Sequence, residues 1–356
     1  MRTFRCLSAS EQLAEHLKGE LIRGTWTGAM PGEERLLAEF GVGQATVRAA
    51  LRQLENEGLL AAQGQGRRRQ IVMSKKFPTP CLRVRILLYA PDDAKGHHYV
   101  DLLHRLLEAG HVAGFASKTL VELDMDSAKI ARFVGRTPAD AWVVLSGSRE
   151  VLKWFVEQDL PAFALAGRRR GVRIASTGPD KLPALRAAIR RLVELGHRRI
   201  VMLAREVLRK PEPGQFERVF LDELAAHGIE HGPYNLPDWT ESAEGLHGVL
   251  DKLLRHTTPT ALVIGEAYTF IAAQQHLAQR GVLAPRDVSL ICDDPDPAFA
   301  WCRPSVAHIN WDGSQWARRI VRWADNVARG KDDTRTSYTK AEFVEGGTMG
   351  PAPKGQ

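Results

Sequence analysis

The chain is expected to be an α/β protein, with an N-terminal winged helix-turn-helix followed by a two-lobed, doubly wound parallel-sheet domain. Three observations predict this. Its 356 residues exceed one ordinary domain and suit two or three. Up to about residue 76, short helices lead into a basic, glycine-rich hairpin; beyond it, apolar runs and amphipathic helices alternate to the end. The formal charge of +7 is also gathered in one place. Between Arg48 and Arg85 nine Lys/Arg stand against two acids, Glu55 and Glu57, an excess equal to that of the whole chain. Basic charge concentrated near one end points to nucleic acid.

The first segment opens with Ser8-x-x-Glu11, a capping-box pattern in which the serine and glutamate satisfy each other's orphan amides. Leu13, Leu17, Leu21 and Ile22 then recur at helical spacing up to Gly24. Pro31-Gly32 starts a second helix running to about Phe40, Gly41-Val42-Gly43 makes a tight turn, and Gln44 to Glu57 forms a third helix closed by Gly58. That third helix is apolar on one face only, through Val47, Ala50, Leu51 and Leu54; Gln44, Thr46, Arg48, Arg52 and Glu55 lie opposite. Two short apolar runs around Gly64-Gln65-Gly66 read as a hairpin, with Arg67, Arg68 and Arg69 at its tip. A helix fits the major groove, where Gln pairs with adenine and Arg with guanine, while Thr holds phosphate. The glycines let the tip approach closely, placing its arginines against phosphate or in the minor groove.

Pro78 and Pro80 mark an extended connector. Beyond it the candidate strands are Val84–Tyr89, Trp142–Leu145, Ala162–Leu165, Ile200–Leu203, Ala261–Ile264 and Val288–Cys292. They are near-continuous apolar runs, as expected where helices cover both faces of a parallel sheet. Helices at Leu182–Leu195, Phe216–His227 and Tyr268–Arg280 each stop at a glycine. The segment Ser305–Arg329 is expected to return to the first lobe. The division is 1–74 for the winged helix, 75–82 for the connector, 83–348 for the two-lobed domain and 349–356 for a disordered tail.

Two resemblances follow from these motifs. Met30-Pro31-Gly32-Glu33, Leu36 to Val42, and Ala45-Thr46-Val47-Arg48 through Glu57-Gly58-Leu59 resemble the GntR-type winged-helix transcription regulators over about residues 8–72. The resemblance implies that Thr46 and Arg48 touch an operator. There are departures: Glu34 holds the place of a usual arginine and Gly43-Gln44 stands for Ser-Arg, leaving Arg35 and Gln44 as substitutes. Further on, Leu192 to Ile200, Pro259 to Ile264, Leu277 to Asp294 and Phe343 to Thr348 resemble the LacI/GalR-type effector domain, which has the type I periplasmic-binding-protein-like fold. Here Phe216 holds the place of a sugar-gripping arginine, and Gly265-Glu266 replaces the usual Asn-Asp, while Asp293 is kept.

Ligands of open α/β sheets bind beyond the carboxyl ends of the strands. The residues placed there are Asp92, His98, Ser146, Ser148 and Arg168 in the first lobe. In the second they are Arg205, Glu266, Asp293 and Asp294, with Trp301 on the following loop. Carboxylates, hydroxyls and an aromatic face suit a polyhydroxylated ligand such as a sugar, although strand-end polar residues also cap neighbouring helices. The altered positions leave two readings open, an unusual ligand or a cleft that serves dimerisation alone.

The remaining sequence signals exclude other classes. Cys6, Cys81, Cys292 and Cys302 form no CxxC pair, which argues against a disulfide framework or zinc site. The longest apolar runs are too short to span a bilayer and no signal-peptide core is seen, so a cytoplasmic protein with no membrane partner is expected. Asp293-Asp294-Pro295-Asp296 and His97-His98 lack further ligands at metal spacing, and there is no nucleophile elbow, P-loop or dinucleotide fingerprint. The expectation is therefore a regulator and not an enzyme, without cofactor. Its partners would be a double-stranded operator, a small effector and a second copy of itself.

Overall fold

The computed structural model describes residues 8–23, 26, 28–64, 68–72 and 81–354. The head comprises α1 (Ala9–Arg23), α2 (Glu33–Phe40), α3 (Gln44–Asn56) and a short hairpin, β1 (Leu60–Ala61) with β2 (Gln70–Ile71), paired antiparallel. Leu13, Leu17 and Leu21 of α1 close over Val47, Leu51 and Leu54 of α3, with Leu36 and Met30 completing the core. Gly41 takes φ +61° at the end of α2, the left-handed conformation that turns the chain into α3. The expected Ser8–Glu11 box is formed, with Ser8 N donating to Glu11 Oε2 at 2.8 Å.

The first lobe contains β3 (Arg83–Leu87), a 3₁₀ turn at Pro91–Lys95, α4 (His97–Glu108), β4 (Val112–Phe115), α5 (Ser127–Val134), β5 (Ala141–Leu145), α6 (Arg149–Glu157), β6 (Ala162–Leu165) and β7 (Ala175–Thr177). Its sheet runs β4-β3-β5-β6-β7, all parallel, the order of a doubly wound domain. The chain then passes to the second lobe. There lie β8 (Pro179–Asp180), α7 (Leu182–Glu194), β9 (Ile200–Leu203), α8 (Glu206–Arg209), α9 (Gln215–Ala226), α10 (Ala243–His256), β10 (Ala261–Ile264), α11 (Ala267–Gln279) and β11 (Ser289–Cys292). A 3₁₀ turn at Pro297–Trp301 and β12 (Ala307–Trp311) follow. Next come α12 (Gly313–Ala328) and β13 (Thr339–Val344), giving a second sheet in the order β8-β13-β12-β11-β10-β9.

Each sheet is covered on both faces. In the first lobe one face packs on α4 and α12, the other on α5 and α6; in the second, α7 and α9 oppose α10 and α11. The expectation that Ser305–Arg329 returns to the first lobe needs a correction. β12 stays in the second sheet beside β11, and only α12 crosses, burying Trp316, Ile320 and Trp323 against Val84, Ile86 and Phe163. The lobes are thus joined three times, at β7–β8, β12–α12 and α12–β13.

The disordered tail expected from residue 349 is also corrected. Thr348 is fully buried, its Oγ1 donating to Leu290 O and accepting from Ala307 N. Gly350 O meets His197 Nε2 at 2.9 Å, Gly350 N donates to Ser289 Oγ, and Ala352 N donates to Leu195 O. Small residues and prolines read as linker in a sequence, but here they fit beside β11 and make three anchoring contacts. Truncation after Met349 is expected to cost about 3 kcal/mol, since each of the three lost hydrogen bonds is worth about 1. Denaturant unfolding would show it; an unchanged midpoint would mean the tail carries no load.

Candidate DNA interface and ligand cleft

In the head, α3 buries Val47, Ala50, Leu51 and Leu54 and turns Gln44, Arg48 and Arg52 to solvent, with Thr46 half-buried. Arg35 is exposed on α2, its Nε 3.9 Å from Glu39 one turn on. The sequence missed the role of Glu33. Its carboxylate accepts from Arg48 Nε at 2.8 Å and from Arg69 at 3.3 Å, and the Arg48 bond in particular pulls its pKa down. Arg69 also donates to Glu55 at 2.6 Å. The expected outward row of three arginines is therefore corrected for Arg69, which faces the head's own carboxylates because its neighbour Gln70 is paired in β2. Arg68 is exposed, while Gln65 and Arg67 lie outside the described residues.

Between the lobes the carboxyl ends of both sheets face a cleft of about 350 Å³, at the lower end of the usual range for small-molecule sites. Strain collects at its strand ends. Ser146 after β5, Ala166 after β6 and Glu266 after β10 have φ of +51°, +58° and +59°, a conformation non-glycine residues adopt chiefly where surrounding structure enforces it. Gly167 is needed on two counts, its φ of +75° and the 2.6 Å at which a Cβ there would meet Gly147 O.

Asp92 and His98 line the cleft from the first lobe, and Glu266, Asp294 and Asp296 from the second. His98 lies against Trp311, ring centres 4.6 Å apart, and burial pushes it down to about 4. Across the lobes, Arg205 makes a two-pronged contact with Asp93 at 2.7 and 3.2 Å. Its guanidinium lies 4.5 Å over Tyr89, and Glu266 Oε1 sits 2.7 Å from Nε but off the N–H axis. Burial, only partly opposed by Arg205, raises the Glu266 carboxyl to about 8. Lys181, at the crossing into α7, holds Asp293 at 3.3 Å and also Asp294, which accepts from Trp311 Nε1 at 3.0 Å. Burial lifts Asp293 to about 6 against that lysine, whereas the lysine and the indole outweigh burial at Asp294.

Other expected residues lie elsewhere. Arg168 donates across the lobes to the carbonyls of Val207, Leu208, Lys210 and Glu212, so its donors are spent on backbone and not on the cleft. Ser148 caps α6, accepting from Val151 N. Ser146 is not among the lining residues, and Phe216 packs against the second-lobe core. Trp301 is 87% exposed and outside the cleft, a correction with a clear cause: the 3₁₀ turn points Phe299 inward and carries Trp301 out. Trp311 supplies the aromatic wall instead. Strand-end reasoning missed Asp93 and Trp311, which line the cleft, and Lys181, which pairs with Asp294 behind it, because they sit on a short helical turn, a strand ending in polar residues and a lobe crossing.

Among the described residues no three metal-ligating side chains converge, and no helix is long and apolar enough to cross a membrane. Residues 9–68 match the gntR family of bacterial regulatory proteins and residues 189–349 the periplasmic binding protein-like domain. An uncharacterized HTH-type transcriptional regulator in the aml 5' region of Streptomyces limosus is 27% identical over 156 residues, 43% of this chain. The match spans 44% of that relative's length. The transcriptional regulator CelR in complex with cellobiose has TM-score 0.61 at 18% identity, covering 90% of this chain and all of that one. A LacI family transcriptional regulator from Enterococcus faecium with bound ribose has TM-score 0.59 at 16% identity, covering 76% of this chain and 99% of that one. At these identities the structural likeness is one of fold.

Proposed function

We propose that this chain, a GntR-type winged helix joined to a periplasmic-binding-protein-like domain, is a cytoplasmic transcription regulator. A homodimer would place two heads on an operator, and a small molecule in the inter-lobe cleft, of sugar size and character, would shift their spacing. The observation that carries the reading is α3, which buries one face completely and offers Gln44, Arg48 and Arg52 on the other. The cleft and the saccharide-bound structural neighbours support the effector half.

Binding to an operator selected from random duplexes tests the DNA half. Arg48→Ala is expected to weaken binding by about 1–3 kcal/mol at fixed salt. The fold should be unaffected, because an exposed pair such as Arg48–Glu33 is worth at most about 1 kcal/mol. Equal affinity of variant and parent would sink the assignment. A second reading, a constitutive dimer without effector, is favoured by the contacts of Arg205 and Arg168 that already join the lobes. A ligand-induced thermal shift separates the two.

A further inference from the structure

The polar side of α3 has an acid pressed against it that a purely electrostatic DNA contact would do without. Glu33 opens α2 and lies between Arg48 of α3 and Arg69 beside β2. A carboxylate there repels the same phosphates that the surrounding arginines attract. Its contacts are specific. Oε2 accepts from Arg48 Nε at 2.8 Å, and Oε1 accepts from Arg69 Nη1 at 3.3 Å.

The second contact distinguishes Glu33 from the acid of a loose surface pair. Arg69 is itself fixed, its Nε donating to Glu55 at 2.6 Å, its carbonyl accepting from Met30 N at 2.9 Å, and its neighbour Gln70 pairing with Ala61. Its side chain is only 22% exposed. One oxygen of Glu33 is therefore anchored to the hairpin, and the other holds Arg48 in a defined place. Arg52, one turn further along α3, is exposed and has no ion-pair partner among the described residues.

The way Arg48 is held leaves one edge of its guanidinium open. Arginine reads guanine through two N–H groups side by side, directed at O6 and N7. With Nε given to Glu33, the two Nη groups form that edge, and neither bonds to another described residue.

Building on the DNA-binding reading above, we infer that Glu33 is a positioning residue for base recognition. It orders Arg48 before DNA arrives, so that both Nη groups meet a guanine, and through Arg69 it sets that arginine in register with the hairpin. Ordering one long side chain only on binding would weaken affinity about two- to tenfold.

The test is fluorescence anisotropy of the full chain on the selected operator and on a random duplex, at one salt concentration. Glu33→Ala is expected to weaken operator binding about two- to tenfold. Random-duplex binding should hold or tighten, because a charge that repels phosphate has gone. Equal tightening on both duplexes would make Glu33 a repelling charge and nothing more, and equal weakening would mean damage to the head; either overturns the inference. Glu33→Gln, which keeps an oxygen for Nε, should retain most of the operator preference, and a preference as low as that of the alanine variant would overturn it. In an Arg48→Ala background Glu33→Ala should weaken operator binding no further, whereas in an Arg52→Ala background its effect should persist. A loss that survives without Arg48 would mean Glu33 acts through another group, again overturning the inference. A parent chain that binds both duplexes alike would sink the DNA-binding reading itself, and this inference with it.

Discussion

Asp93→Ala is expected to lower the unfolding free energy by about 3 kcal/mol, because breaking a buried pair strands a charge. Asp93 is 3% exposed and Arg205 is 7% exposed. Both carboxylate oxygens contact the guanidinium, and Oδ2 also accepts from Ala90 N at 2.9 Å. Alanine leaves the guanidinium without its two-pronged partner and the Ala90 amide without an acceptor. The cost falls at the low end of the about 3–5 kcal/mol seen for such losses, because Glu266 remains beside Nε. Relieved of Asp93's charge, Glu266 would release its proton more readily and compensate in part. Asp92→Ala, one residue away but exposed, should change stability by no more than about 0.5 kcal/mol. Denaturant unfolding at pH 7 compares the two, and equal midpoints would mean the lobes do not depend on the pair. In a double-mutant cycle, Asp93→Ala with Arg205→Met should lose much less than the sum of the single losses, since no charge is then stranded.

How far the sequence could be read depends on what each element packs against. Ile200–Leu203, Ala261–Ile264 and Ala162–Leu165 emerge with the bounds predicted, since a strand buried on both faces must be apolar at every position. β4 was invisible because it is an edge strand, with Val112 half-exposed and Gly114 in its middle. β7 was hidden by Ser176 and Thr177, buried polar residues made tolerable by Thr336 and Ser337 alongside. β12 alternates Ala307, His308, Ile309 and Asn310, which carries no continuous apolar signal. The strand-end rule brought Asp92, His98 and Glu266 to one cleft, but it could not say which long side chains would spend their donors elsewhere. Arg168 reaches backbone some forty residues on, and Lys181 finds carboxylates more than a hundred residues away. Such pairings are set by how the lobes meet, a property of the whole fold that no local pattern encodes.

Glu217→Gln is expected to stabilise the protein by about 3 kcal/mol at pH 8 and by little near pH 4.5. Glu217 is 1% exposed on the first turn of α9, and neither carboxylate oxygen accepts a hydrogen bond from a neighbouring group. Burial raises its pKa to about 7; Asp293 adds to the rise, while its own backbone N–H, Arg168 and Lys181 oppose it. A carboxyl whose pKa is higher folded than unfolded binds its proton more tightly in the fold. Its contribution is fully present below the unfolded value of 4.5 and is lost as pH climbs through about 7. About 2.5 pKa units at about 1.4 kcal/mol each gives the magnitude. Glutamine keeps the shape of the protonated acid at every pH and does not titrate, so the loss disappears. Glu266 and Asp293 titrate in the same window, but in both proteins, so they largely cancel in the difference. Unfolding curves taken from pH 4.5 to 8 should therefore diverge steadily up to about pH 7 and then run parallel. A constant gap across that range would mean the carboxyl is ionised in the fold, and some group near Lys181 or Arg168 would have to be pairing with it.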